Sequence, residues 1–65
     1  MHGMIELTIE TWSGANGTEY RWSLWRDGRR LAMGPAYPTA AEAEAAATAA
    51  CIQEFGMRPA RVTAL

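Results

Sequence analysis

The stretch from Tyr20 to Met33 predicts a β-hairpin, and this hairpin limits the folds open to the chain. Asp27-Gly28 separates two runs in which apolar and polar residues alternate. Asp-Gly in that setting favours a type I′ turn, because both central residues of such a turn need positive φ. A two-residue loop then fixes the cross-strand pairs as Arg26–Arg29, Trp25–Arg30, Leu24–Leu31 and Trp22–Met33.

The same register assigns each side chain to a face, since successive residues of a strand point to opposite sides of the sheet. A slip of one residue would put the apolar set into water. The predicted core face carries Tyr20, Trp22, Leu24, Leu31 and Met33. The opposite face carries Arg21, Ser23, Trp25, Arg30 and Ala32.

The segment Met4–Trp12 alternates in the same way and predicts a half-buried strand ahead of the hairpin. Two loops keep its apolar residues on the core face: a two-residue loop at Asn16-Gly17 and a four-residue loop at Gly14–Gly17. The four-residue loop is favoured, because it also places Glu10 opposite Arg21.

A helix follows the hairpin, and its start and end are marked in the sequence. Gly34-Pro35 is expected to end the third strand. Thr39-Ala-Ala-Glu42 has the form of a capping box, strong helix formers continue to Phe55, and Gly56 suits the left-handed closing residue. The predicted buried stripe contains Ala41, Ala45, Thr48, Cys51, Ile52 and Phe55.

The segment Ala60–Leu65 predicts a last short strand beyond Arg58-Pro59. A strand–helix–strand connection is right-handed, so this strand should run parallel to its neighbour. Pairing with the first strand is preferred because that strand is longer, and pairing with the third strand stays open. The fold class is therefore α+β: a three-stranded antiparallel meander, one helix packed on one face, and a short fourth C-terminal strand (β-β-β-α-β).

The length of 65 residues gives a single α+β domain spanning 1–65. This is close to the lower limit for a chain that folds without disulfide or metal cross-links. One cysteine leaves no internal disulfide framework, which favours a reducing, cytoplasmic location. The first residues have neither a basic segment nor a long apolar run, so neither a signal peptide nor a membrane span is expected.

Three segments together resemble the YegP-like group of small bacterial domains: Tyr20–Gly28, Ala32–Gly34 and Tyr37–Glu44. The resemblance covers roughly residues 20–52 and rests on turn and cap positions. It implies a strand, a glycine turn, a strand and a capped alanine-rich helix. Members of the group are often two tandem copies, so here the other copy would have to be supplied by a second chain, or the tandem pairing would not be met at all. The group is largely uncharacterised, and the resemblance implies no activity.

The residues offer little for catalysis. His2 is the only histidine and Cys51 the only cysteine, so the usual zinc ligand sets cannot be assembled. Cys51 falls on the helix stripe and is interpreted as a small buried hydrophobe. Glu6 and Glu10 share a strand face, but a general acid/base pair would also need a pocket. We therefore expect no enzyme, no cofactor, no metal site and no small-molecule substrate.

The strongest functional signal is the sheet face away from the helix. Trp12, Arg21, Trp25 and Arg30 should share this face, and Arg29 lies beside it in the turn. Tryptophan and arginine are enriched in interface hot spots, and arginine can stack on an indole. The alternative interpretation is local cross-strand packing that covers one side of a thin sheet.

The leading hypothesis is a small non-enzymatic interaction module. It would bind a partner protein, or a second copy of itself, through the open sheet face or a strand edge. Its size also fits inhibitors of phages or mobile elements, such as anti-CRISPR-type proteins. The alternative is a nucleic-acid-binding sheet that uses the same face and the basic 26–30 turn, although a net charge of −1 disfavours it.

Overall fold

The computed structural model describes residues 3–65 and shows an α+β fold in the predicted β-β-β-α-β order. The elements are β1 (Glu6–Gly14), β2 (Gly17–Arg26), β3 (Arg29–Tyr37), α1 (Ala40–Phe55) and β4 (Arg61–Ala64). They form one four-stranded sheet in the order β3-β2-β1-β4. β4 runs parallel to β1, which confirms the preferred neighbour.

The predicted register between β1 and β2 is confirmed: Leu7 lies opposite Leu24, and Glu10 opposite Arg21. The loop is shorter than the favoured four residues, because pairing continues to Gly14 and Gly17 and leaves only residues 15 and 16 in the turn. Gly17 has a φ of 112°, a conformation that glycine adopts without steric cost. It therefore lets the chain re-enter the ladder immediately after the turn.

The hairpin turn between β2 and β3 has the predicted form. Asp27 and Gly28 both have positive φ, at 51° and 79°, and Trp25 pairs with Arg30. Beyond that pair the expected register is wrong, because Leu24 lies opposite Ala32 and Leu31 is an extra residue in β3. Such a β-bulge opposes two residues of one strand to one of the other.

A second register shift lies between Arg21 and Ser23, opposite Gly34-Pro35. The predicted end of the third strand at Gly34-Pro35 is therefore also wrong, and β3 continues to Tyr37, which pairs with Tyr20. An edge strand tolerates proline, because the missing N–H can face away from its neighbour.

The bulges move residues of β3 between the two faces. Met33 was expected in the core opposite Trp22, but it lies opposite Ser23 and is 55% exposed. Ala32 was expected on the open face, but it packs against the core together with Leu31. The extra residue inverts the alternation between Arg30 and Ala32, so the two predictions fail for one reason.

Trp22 takes Gly34 as its neighbour in place of Met33. The Trp22 side chain is buried, and a Cβ atom at position 34 would overlap its indole ring. Gly34 is thus required for close approach of β3 to the indole.

The helix begins and ends as predicted. The Glu42 N–H donates to Thr39 Oγ1 at 3.1 Å, and Gly56, with a φ of 70°, donates its N–H to the Ile52 carbonyl at 2.9 Å. These contacts satisfy backbone groups that the helix ends would otherwise leave unpaired.

The predicted buried stripe of α1 is mostly wrong. The fully buried positions are Ala43, Ala47 and Cys51, whereas Ala41 and Ala45 are exposed. Of the predicted stripe, Cys51 is buried and Phe55 packs against the core. Alanines occur all around the helix, so apolar periodicity could not select the face that meets the sheet.

The core lies between α1 and one face of the sheet. It consists of the buried residues Ile5, Leu7, Ile9, Trp22, Leu24, Ala43, Ala47 and Cys51.

The molecule measures 42 × 21 × 15 Å, and part of its length comes from the end of the β1–β2 hairpin. β3 pairs with β2 only as far as Tyr20, and β4 pairs with β1 only as far as Ile9. Residues 12–19, the distal arm, therefore form only two strands. No helix within residues 3–65 has the length and apolar character needed to cross a membrane.

Candidate interaction surface: the outer face of the sheet

Helix α1 covers one face of the sheet, and the opposite face, here called the outer face, carries no further layer among the described residues. Cross-strand pairing shows which side chains lie there. From β3 to β4 they are Arg30, Met33 and Ala36; Glu19, Arg21, Ser23 and Trp25; Glu6, Thr8, Glu10 and Trp12; and Arg61 and Thr63.

One Trp–Arg pair lies near the Asp27-Gly28 turn. The guanidinium carbon of Arg30 is 6.0 Å from the Trp25 ring centroid, within the range of a cation–π contact. Trp25 Nε1 donates to Ser23 Oγ at 2.8 Å, and Ser23 is buried. Trp25 is itself half-buried, so part of its role is to cover the sheet.

The second pair lies at the base of the distal arm and is more open. The guanidinium carbon of Arg21 is 5.4 Å from the Trp12 ring centroid, and Trp12 is 50% exposed. Arg21 Nη2 is 3.8 Å from Glu19 Oε2, too far for a hydrogen bond. The exposed end of Arg21 therefore keeps N–H groups that can donate hydrogen bonds to an incoming carboxylate.

The charges of the outer face are balanced. The face carries three carboxylates (Glu6, Glu10 and Glu19) and three guanidinium groups (Arg21, Arg30 and Arg61). The Arg61 and Glu6 side chains form an exposed ion pair with 3.8 Å between Nη1 and Oε1. Because opposite charges alternate across the strands, the face has no uniform field that would attract a polyanion.

The structure brings together four of the five residues predicted to bind a partner: Trp12, Arg21, Trp25 and Arg30. Arg29 is separate. It lies opposite Arg26 in the ladder, one position from Arg30, and so belongs to the helix side of the sheet. Arg26 is half-buried there, and its Nε has no hydrogen-bond partner among the described residues.

Met33 and Glu19 belong to this surface but were not among the predicted site residues. Met33 was assigned to the core, and only the bulge at Leu31 brings it to the outer face. No residue of the segment 29–33 marks that bulge in the sequence. Glu19 could have been found from the predicted register between the first two strands, which places it opposite Trp12.

The remaining reactive side chain, Cys51, lies away from the outer face. It is fully buried, and burial raises the pKa of its thiol, while the positive charge of Arg26 opposes this increase. A thiol with a raised pKa carries little thiolate near neutral pH and is a poor nucleophile. His2 lies outside the described residues. In the described part of the chain, no three His, Cys, Asp or Glu side chains cluster as metal ligands would.

Two hollows are also present on the described part of the surface, and the second borders the outer face at Glu19 and Ala36. One of about 490 Å³ follows the solvent side of α1 and is lined by Ala41, Glu44, Ala45, Thr48, Ala49 and Ile52. The other, of about 260 Å³, lies between the distal arm and the end of β3 and is lined by Asn16, Thr18, Glu19, Ala36, Tyr37 and Pro38. Both are open, and neither gathers the convergent polar groups typical of a small-molecule site.

Comparison of the chain with protein-family models, curated proteins and solved structures finds no match. The resemblance to the YegP-like group therefore stays a prediction. The outer face, with its two Trp–Arg pairs and balanced charge, is the surface on which a function can be argued.

Proposed function

We propose that this chain is a non-enzymatic interaction module that binds a partner protein through its outer face. One observation carries the proposal: two Trp–Arg pairs lie on an uncovered sheet face, and Trp12 in the second pair is half exposed. Indole and guanidinium groups bury a large area on binding and dominate many interface energies. The exposed Met33 adds an adaptable apolar contact between them.

The charge pattern favours protein over nucleic acid as the partner. A nucleic-acid surface draws most of its affinity from phosphate contacts, and the three carboxylates of the outer face would repel phosphates. The arginines of the basic turn are also divided, with Arg30 on the outer face and Arg26 and Arg29 on the helix side. They therefore do not converge on one phosphate backbone.

The outer face is also favoured over a strand edge as the binding surface, because both edges of the sheet are poorly suited to pairing with another strand. β3 is an edge strand with two bulges and a proline, and β4 has only four residues. Bulges, proline and short length all reduce the capacity of an edge to accept another strand. The chain thus protects its edges and leaves the outer face open.

A photocrosslinking amino acid at position 33 tests the proposal in cells that express the protein. We expect a covalent adduct with a discrete protein, because Met33 is exposed between the two Trp–Arg pairs. The matched control carries the same amino acid at Ala49, on the solvent side of α1. The adduct should be absent from the control and should be lost when Trp12→Ala is added to the position-33 variant.

Equal adducts at positions 33 and 49, or an adduct unaffected by Trp12→Ala, would contradict the proposal. An oligonucleotide that binds the purified protein with affinity falling steeply with salt would support the alternative, nucleic-acid function. An inhibitor of the phage or mobile-element type, such as an anti-CRISPR-type protein, stays a prediction about the biological setting.

A further inference from the structure

We infer that the partner at the outer face is a second copy of this chain. The two copies would pack outer face to outer face about a two-fold axis that runs along the strands between β1 and β2. This inference rests on the proposed function, because it names the occupant of the same surface. Three observations carry it: the pattern of charges, the exposed area and the position of the apolar side chains.

The charges of the two central strands complement themselves. Glu10 of β1 lies directly opposite Arg21 of β2 within one copy. A two-fold axis between these strands exchanges their positions across the interface, so Glu10 faces the partner's Arg21 and Arg21 faces the partner's Glu10. Each guanidinium then meets a carboxylate that can accept two parallel N–H bonds. Residues of like charge at these two positions would exclude such a dimer.

The exposed area exceeds that expected of a compact monomer. The accessible surface is 4556 Å², whereas a folded chain of 7.1 kDa is expected to expose about 4,100 Å². The four strands contain 9, 10, 9 and 4 residues and lie about 4.8 Å apart, which gives the outer face a projected area of roughly 500 Å². A stable interface buries about 800 Å² of accessible surface per partner. A dimer would therefore have to cover the whole outer face, including the distal arm, and its interface would lie at the small end of the stable range.

The apolar side chains that would become buried are Trp12 and Trp25 on the central strands, which the axis places over the partner's Glu19 and Glu6, and Met33 on the edge strand β3. Trp25 and Trp12 are near opposite ends of the two central strands, and Met33 lies beside Ser23. Stacked sheets align within about 30° because each is twisted, which keeps their central strands close. Arg30 and Arg61 lie in one row with Trp25 and Glu6, so the same axis sets each Arg30 over the partner's Arg61 at the rim, where water and the partner's Glu6 reduce their repulsion.

Sedimentation equilibrium of the purified protein tests the inference by exchange of charges. Arg21→Glu alone places a carboxylate against the partner's Glu10 twice per dimer, and Glu10→Arg alone places two guanidinium groups together twice. We expect each variant to dissociate at least about tenfold more readily than the wild type. An equimolar mixture of the two should form a heterodimer with affinity close to that of the wild type, since both contacts become attractive again.

Two controls keep the result interpretable. Glu44→Arg changes the same charge on the solvent side of α1 and should leave dimerisation unchanged. Circular dichroism reports whether each variant folds. If Arg21→Glu or Glu10→Arg does not fold, the neutral variants Arg21→Gln and Glu10→Gln replace them, with the smaller expectation of a few-fold weaker dimer for each.

Three outcomes would overturn the inference: a wild-type monomer up to about 1 mM, charge variants that dimerise like the wild type, or a mixture that does not associate. None of these decides the proposed function, which depends on the adduct at position 33. An adduct with a different protein, together with a monomeric wild type, would reject the second copy and leave the interaction module standing. No specific adduct and no dimer would reject both.

Discussion

Single residues set how closely β3 approaches the rest of the sheet. Gly34 lies against the Trp22 indole, and Trp22 is among the largest members of the core. The indole is a rigid ring that is held between the sheet and the helix, so it cannot move aside easily. Glycine has only a hydrogen atom as its side chain, and position 34 therefore allows the close packing at this end of the core.

We expect Gly34→Ala to destabilise the fold by about 2–3 kcal/mol, because the new methyl group overlaps the Trp22 ring and forces a shift of side chain or backbone. Urea unfolding monitored by tryptophan fluorescence measures the change. Gly14→Ala is the matched control. The methyl group there meets the Glu19 side chain, whose flexible end can turn away, and its effect should stay within about 0.5 kcal/mol. Similar losses at both positions would contradict the packing described here.

Cys51 gives a second test at the scale of one residue. Its thiol is fully buried and has a raised pKa. The folded protein should therefore react with an aromatic disulfide reagent far more slowly than the urea-unfolded protein at the same pH. Rapid modification of the folded protein near neutral pH would contradict the burial of this side chain.

The same raised pKa has a consequence for stability. The unfolded state loses its thiol proton first as the pH rises above about 8.5, so over that range the folded state binds more protons. The stabilisation from the protonated thiol is thus fully present below that pH and is lost as the pH rises through the folded pKa. We expect Cys51→Ala to unfold with a weaker dependence on pH above about 8.5 than the wild type.

At the scale of the element, the face that α1 presents to the sheet departs most from the sequence prediction. The caps at Thr39 and Gly56 were predicted from residues that act locally, and both are confirmed. The buried stripe was predicted from periodicity, and it is largely wrong. A helix whose alanines are distributed around its whole circumference gives hardly any periodic signal, so tertiary packing decides its rotation.

Ala47→Leu and Ala45→Leu distinguish the two faces of the helix. Ala47 is fully buried against the sheet, and a larger side chain there should cost about 1–3 kcal/mol. Ala45 lies on the exposed side and should tolerate leucine to within about 0.5 kcal/mol. Thermal unfolding at matched concentrations measures both. A larger loss at Ala45 than at Ala47 would restore the stripe predicted from the sequence.

β3 shows the same limit in a strand. Its turn, its first two pairs and the packing of Leu31 were predictable, since Asp27-Gly28 specifies the local geometry. The bulge at Leu31 was not, because no residue of the segment 29–33 marks it in the sequence. The predicted interaction site divides in the same way, into residues that the turns place and one that the bulge places. Trp12, Arg21, Trp25 and Arg30 depend only on registers set by turns, whereas Met33 depends on the bulge.

At the scale of the whole molecule, the fold is a sheet that α1 covers on one face, with the two-stranded distal arm extending beyond the other strands. The element order, the α+β class and the parallel last strand were predictable from alternation, turn residues and the crossover rule. How far the hairpin reaches beyond its neighbours was not. That reach depends on where β3 and β4 stop pairing, at Tyr20 and Ile9, and neither end is specified by nearby residues.

We expect hydrogen exchange to reveal this division. Amides of the distal arm belong to an isolated two-stranded ribbon, which is marginally stable in water. At low protein concentration they should exchange at least about a hundredfold faster than the paired amides around Leu7 and Leu24, which open mainly by global unfolding. Equal protection in a dilute sample would show that the arm is held by contacts within one chain.

The irregular edges of the sheet also affect whether the protein forms fibrils at high concentration. A β-sheet that recruits further strands along its margins grows without limit and yields fibrils. The irregular margin at β3 and the four-residue margin at β4 give an incoming strand too few aligned hydrogen-bonding groups for this growth. An assembly built on the broad side of the sheet is instead finite, so the protein should stay free of amyloid even when highly concentrated.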